Sequence, residues 1–257
     1  MKNGQELLPT TFLDNETILS YRKQSQTLSY KEDLWSWYVL RRISIYITIL
    51  FIKMRIKPNT VSWMSAFFMI ISGLSLMIAT PLSIVFAALF YNIGYLFDCV
   101  DGEVARITKQ TSSKGYYIDI IIQAAALPVF LSMVLTVLRQ AGMLEVNLLE
   151  MTLIYVTIVA IIMALLVPIA YQLTKLTMSQ STTQDPVNSI RDGSLFFDIV
   201  AVLLGLPGFY VTAVFIVLIE QVTGAEFLLY YISFFLAMLV IKTGLRVMIT
   251  SRSFDKG

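Results

Sequence analysis

Histidine is absent from this 257-residue chain, and cysteine occurs once, at Cys99. The missing histidines argue against most zinc and copper chemistry. A single cysteine excludes an intrachain disulfide framework. Charge is scarce too: 14% of residues are charged and 57% are hydrophobic, with a mean hydropathy of +0.74. A soluble domain of this length needs far more polar surface. The net charge of +2 identifies no partner, and no nucleic-acid partner is expected. No repeat is visible, and the N-terminal stretch has no early apolar core followed by a cleavage site, so a cleaved signal peptide is not expected.

What the chain does have is apolar runs of about 20 residues, enough to cross a bilayer core as helices. Six spans fit, at 60–80, 82–105, 115–138, 151–174, 195–219 and 226–249. Ahead of them, the uncharged run from Ile43 to Ile52 is too short to span. Trp35, Trp37 and Tyr38, flanked by Arg41, Arg42, Lys53, Arg55 and Lys57, suit a helix lying in the membrane interface, which Pro58 ends. With six spans, 18 of the 19 basic residues fall on one side and only Arg139 on the other. The positive-inside rule makes that side cytoplasmic, with both termini. The expectation is an all-α integral membrane protein of the cytoplasmic (inner) membrane, with six transmembrane helices plus an N-terminal interfacial amphipathic helix. Residues 1–57 form a cytoplasmic arm, polar and loosely ordered over its first 30 residues, and that helix. Residues 58–257 form the membrane domain.

The stretch from Phe97 to Gln123, FDCVDGEVARITKQTSSKGYYIDIIIQ, places three carboxylates in or beside apolar segments. An ionisable residue within a span is expensive and reads as functional by default. Asp98 and Asp101 share one helix face by their spacing of three, and Asp119 and Gln123 share another by their spacing of four. A short turn between the two helices brings those faces together. Three converging carboxylates need a cation, and oxygen ligands suit Mg²⁺ or Mn²⁺. The bland alternative is a structural pairing of these acids with Arg106, Lys109 or Lys114. Gly102, Ala105 and Gly115 let a ligand or a backbone approach closely. Arg106 offers a planar fork to a phosphate.

Asp98-Cys-Val-Asp101-Gly102-Glu-Val-Ala105-Arg106, then eight residues, Gly115, three residues, Asp119, three residues and Gln123, resembles the pattern D-x2-D-G-x2-A-R-x8-G-x3-D-x3-D of the CDP-alcohol phosphotransferases, also called CDP-alcohol phosphatidyltransferases. Seven fixed residues agree in type and spacing. Upstream, KPNTVSWMS is similar to the family's T-P-N-x-V-T-x-x-S, with Lys57 and Ser62 in place of threonines. The resemblance implies transfer of a substituted phosphoryl group from a CDP-linked donor to an alcohol acceptor, lipid or polyol, with release of CMP, in phospholipid or surface-glycolipid synthesis. It implies two divalent ions held by Asp98, Asp101 and Asp119, with Gln123 at the fourth ligand position. Gly102, Ala105, Arg106 and Gly115 become nucleotide and pyrophosphate contacts, with Asn59 and Ser62 on the nucleotide side. It also implies a homodimer in contact with membrane lipids.

Gln123 departs from the pattern, which has aspartate there as metal ligand and candidate general base. An amide does not take a proton at neutral pH. Three readings stay open: an active enzyme with another base, Asp119 or a metal-bound hydroxide; a non-catalytic subunit that binds a CDP-lipid or headgroup; or an active enzyme altered by engineering. A transporter would need broken helices and inverted repeats, and neither is visible. Asp198, Lys242, Arg246, Arg191 and Asp192 are weaker candidates for acceptor or lipid contacts. Glu103 is expected at the interface or beside a lysine, and not as a ligand.

Overall fold

Three prolines set where helices begin. Pro58 opens α3 (Pro58–Leu76), Pro81 opens α4 (Pro81–Ile107), and Pro207 lies in the first turn of a later helix, α7 (Leu206–Thr223). The first helical turn lacks partners for its N–H groups, so proline's missing donor costs nothing there. The computed structural model describes residues 8–26, 35–179, 205–225, 227–235 and 237–238. The remaining helices are α1 (Glu16–Ser25), α2 (Arg41–Lys53, entered through a π-helical turn at Ser36–Leu40), α5 (Ser113–Gln140) and α6 (Leu148–Ser179), with residues 227–235 also helical. Caps fix several starts. Thr80 and Ser83 form a reciprocal capping box ahead of α4, and Ser112 Oγ accepts from Gly115 N at 3.1 Å ahead of α5.

The central pair is α3 against α4, with α5 on α3, α6 on α5, and α1, α2 and α7 on α4. α3 shows why these helices associate in an apolar medium. Trp63, Phe67, Ile70 and Leu74 form an exposed stripe, while Ser62, Ser65 and Ser72 face inward. Ser65 Oγ donates to the Gly94 carbonyl at 2.8 Å and Ser72 Oγ to the Ala87 carbonyl at 2.8 Å. Large side chains outside and small polar ones inside let backbones approach, as packing within a bilayer requires. A Cβ on Gly94 would lie 3.2 Å from the Ser65 carbonyl, so this contact depends on glycine. Farther along, Tyr91, Phe130, Phe209, Tyr210 and Phe235 build a buried aromatic core.

The chain is a multi-pass, helical membrane protein, but six spans are not found among the described residues. Among the described residues four helices are long and apolar enough to cross: Pro58–Leu76, Pro81–Ile107, Lys114–Gln140 and Leu206–Thr223. α6 is helical over 32 residues, and its stretch Leu148–Ala160 is apolar. The segment expected at 195–219 instead starts its helix at Leu206, because Gly205 occupies the N-cap and Pro207 the first turn. Most of 226–249 lies outside the described residues.

The N-terminal segment also departs from the loosely ordered arm that its polarity suggests. Arg22, Ser25 and Gln26 are buried. Arg22 places all five N–H groups: two on Asp14 (2.8 and 3.0 Å), and one each on Gln26 Oε1, the Arg41 carbonyl and the Arg42 carbonyl. Asp14 also accepts from the Tyr46 hydroxyl at 2.6 Å and from Thr11. Burial by itself raises the Asp14 carboxyl, but the hydrogen bonds from Arg22, Tyr46 and Thr11 outweigh it and hold its pKa at about 2.

Candidate active site

Polar side chains collect where the end of α4, the start of α5 and the start of α3 meet. They line a cavity of about 510 Å³. All ten residues singled out from the sequence lie on its wall: Asn59 and Ser62 from α3, Asp98, Asp101, Gly102, Ala105 and Arg106 from α4, and Gly115, Asp119 and Gln123 from α5. The helical period explains the α4 set, since positions 98, 101, 102, 105 and 106 follow one another at spacings of three and four.

Asp101 is buried and accepts from Ser62 Oγ at 2.5 Å. Asp119 Oδ1 accepts from Gln123 Nε2 at 3.0 Å. Asp98 and Asp119 lie within hydrogen-bonding reach of each other across the two helices. Asp98 Oδ1 is buried and has no hydrogen-bond partner. Among the described residues no three acidic, cysteine or histidine side chains are grouped, as placed, around a single metal position. Ser62 and Gln123 instead hold two of the three carboxylates.

The two site glycines make different demands. A Cβ on Gly102 would stand 3.2 Å from both terminal nitrogens of Arg106, so the bare backbone there leaves room for that guanidinium. A Cβ on Gly115 would reach Ser112 Oγ at 3.4 Å and Asn59 Oδ1 at 3.5 Å, ordinary contact distances. That glycine keeps the cavity open and is not required by the protein's own packing.

Sequence reasoning missed six other wall residues: Arg41, Pro58, Gln110, Thr111, Ser112 and Tyr116. It also misplaced Glu103. That carboxylate is fully buried. Its Oε1 accepts from Ser44 Oγ (2.5 Å), Gln26 Nε2 (2.8 Å) and Arg41 Nη1 (3.1 Å), and its Oε2 accepts from Thr48 Oγ1 (2.7 Å). Two residues along a helix turn the side chain by about 200°, so Asp101 faces the cavity while Glu103 faces α2. The overlooked signal is on α2, where Arg41, Ser44 and Thr48 form a polar stripe at spacings of three and four in an apolar helix. Arg106 Nε donates to the Ser25 carbonyl at 2.6 Å, which ties the cavity rim to the N-terminal segment. Asp198, Arg191, Asp192, Lys242 and Arg246 lie outside the described residues.

The chain resembles known proteins over part of its length. Over 82 residues the chain is 33% identical to the bifunctional IPC transferase and DIPP synthase of Thermococcus kodakarensis, a segment that makes up 32% of this chain and 18% of that protein. The chain thus spans under a fifth of that relative. No solved structure matches. Residues 55–239, which contain every one of the ten, match the CDP-alcohol phosphatidyltransferase family, and with a match over more than half its length the chain belongs to that family.

Proposed function

We propose that this cavity transfers a substituted phosphoryl group from a CDP-linked donor to an alcohol and releases CMP. The observation that carries the reading is the meeting of Asp98, Asp101 and Asp119 from two helices on one cavity with Arg106. The donor set is all oxygen, and Asp98 Oδ1 is buried without a partner beside Asp119. Both features fit a hard divalent ion, Mg²⁺ or Mn²⁺, with Asp98, Asp101 and Asp119 as the residues that would hold one or two of them. Such ions, when bound, neutralise pyrophosphate oxygens and the charge that develops on the departing CMP.

The chain's own side chains do the rest. Arg106 presents a guanidinium fork to the donor phosphates. Asn59 and Ser62 stand on the α3 wall beside the nucleotide. The acceptor oxygen bonds to the donor phosphorus, the bond from that phosphorus to the CMP oxygen breaks, and the hydroxyl proton passes to Asp119. Gln123 takes no proton. Its amide N–H holds Asp119 Oδ1 and thereby orients that carboxylate. The excess of basic residues near this end of the bundle supports a cavity that opens to the cytoplasmic side of the inner membrane. A homodimer is the assembly that fits the family.

CMP release by the purified protein with Mg²⁺, from CDP-diacylglycerol and from soluble CDP-alcohols with mixed lipid and polyol acceptors, tests this. Release is expected with at least one donor and is lost in Asp101→Asn. Nucleotide binding with no release from any donor, in the parent and in Gln123→Asp, would instead assign a non-catalytic binding subunit.

A further inference from the structure

We propose that Arg41 is a phosphate-binding residue of this cavity, pre-set by a buried network that reaches it from the N-terminal segment; the proposal rests on the CDP-donor reading above. Arg41 lies outside the family-matched residues 55–239, yet its side chain shares the cavity wall with Asp98, Asp101 and Arg106.

Two grips hold it, with Gln26 shared between them. At its backbone, the Arg41 carbonyl accepts from Arg22 Nη1 and Gln26 Nε2, each at 2.9 Å. At its head, Nη1 lies 3.1 Å from Glu103 Oε1, and the Arg41 side chain is 13% exposed. Glu103 is in turn fixed by Ser44, Thr48 and Gln26. A guanidinium whose backbone and head are both fixed loses little freedom when it meets an anion, so more of the contact appears as affinity.

The simpler view is that Arg41 serves as counter-ion to the carboxylates of the cavity. Arg41 does lie close enough to Asp98 for their charges to attract, but its Nη1 is held by Glu103, on the far side of α4 from Asp101, while its side chain also lines the cavity. Two guanidiniums from different elements, Arg106 at the exposed rim and Arg41 deeper in the wall, suit a ligand with two linked phosphates.

Titration of CDP and of cytidine into the full chain in detergent with Mg²⁺ separates the possibilities, read by calorimetry and by the ligand-induced rise in melting temperature. Arg41→Gln is expected to weaken CDP roughly ten- to a hundredfold, the value of a hydrogen bond to a charged group, and to leave cytidine unchanged. Arg41→Lys keeps a cation against Glu103, so it should melt with the parent, yet it lacks the planar fork and should still lose several-fold in CDP affinity. Unchanged CDP affinity in Arg41→Lys and Arg41→Gln, with a loss in Arg106→Gln, overturns the role of Arg41 and leaves the proposed function standing. A parent protein that does not bind CDP overturns both.

Discussion

Glu103→Ala tests the buried network at its hub. The wild-type carboxylate accepts four hydrogen bonds, at 2.5, 2.7, 2.8 and 3.1 Å, one of them from the Arg41 guanidinium. Alanine removes every acceptor at once and takes the Glu103 carboxylate away from the largely buried Arg41 cation. Breaking a buried ion pair by deleting one member costs about 3–5 kcal/mol. Glutamine should cost less. Its oxygen, placed where Oε1 now lies, keeps the bonds from Ser44, Gln26 and Arg41, and its amide N–H₂ meets Thr48, whose hydroxyl turns round to accept. What Glu103→Gln loses is the charge on the Arg41 bond, roughly 1.5–3 kcal/mol at most. For a chain of this size each kcal/mol moves the melting temperature by about 2–4 °C, so Glu103→Ala should melt ~6–20 °C below the parent, with Glu103→Gln between them. The assay is thermal unfolding in one detergent and at one salt concentration. Adding Arg41→Met to Glu103→Ala should recover part of the loss, because the uncompensated cation is removed with its partner. Melting of Glu103→Ala within about 0.5 kcal/mol of the parent, the range of ordinary surface substitutions, would refute the buried hub.

Asp14, held at a pKa of about 2 by Arg22, Tyr46 and Thr11 against the effect of burial, adds stability that is complete above the ordinary carboxylate range and is lost as pH falls through that range toward 2. Between pH 5 and pH 3 the parent should therefore lose more melting temperature than Asp14→Asn; equal losses would refute the pairing. Gly102→Ala should push the Arg106 guanidinium aside, since its Cβ would stand 3.2 Å from both terminal nitrogens. The expected result is a KM for the CDP donor raised by about tenfold, one charged hydrogen bond, with the metal-free melting temperature unchanged. Gln123→Asp replaces a donor to Asp119 with a second carboxylate. It should lower the melting temperature in EDTA and enlarge the rise on adding Mg²⁺, because adjacent carboxylates repel until a cation joins them.

The site was legible because its residues are local. Asp98, Asp101, Gly102, Ala105 and Arg106 sit within three turns of one helix, so spacing alone puts them on one face. The start of one span was less legible. Hydropathy sums composition over a window and is blind to Pro207, whose ring and missing N–H set the start of α7 inside an apolar run. Glu103 was misplaced for a different reason. Its partners lie 55 to 77 residues away in sequence, on α2 and beyond α1. The polar stretch 8–26 was misread likewise, because Arg22 is compensated by Asp14 eight positions earlier and by carbonyls about 20 positions later. Composition sees the charge, and only the fold supplies its partners.

These long-range partners change what the α4 motif does. Asp101 and Glu103 are two residues apart, yet one meets the cavity and the other meets α2. The helix that carries the carboxylates is thus fixed from behind by side chains that do no chemistry. Arg106 is tied the same way, through the Ser25 carbonyl. Residues 55–239 hold every carboxylate of the site, but both cavity arginines are gripped by residues that precede them. Arg41 and Arg106 are held by Arg22, Gln26, the Ser25 carbonyl and Glu103, and a charge held in place before a ligand arrives is worth more in binding than one that must be ordered on arrival.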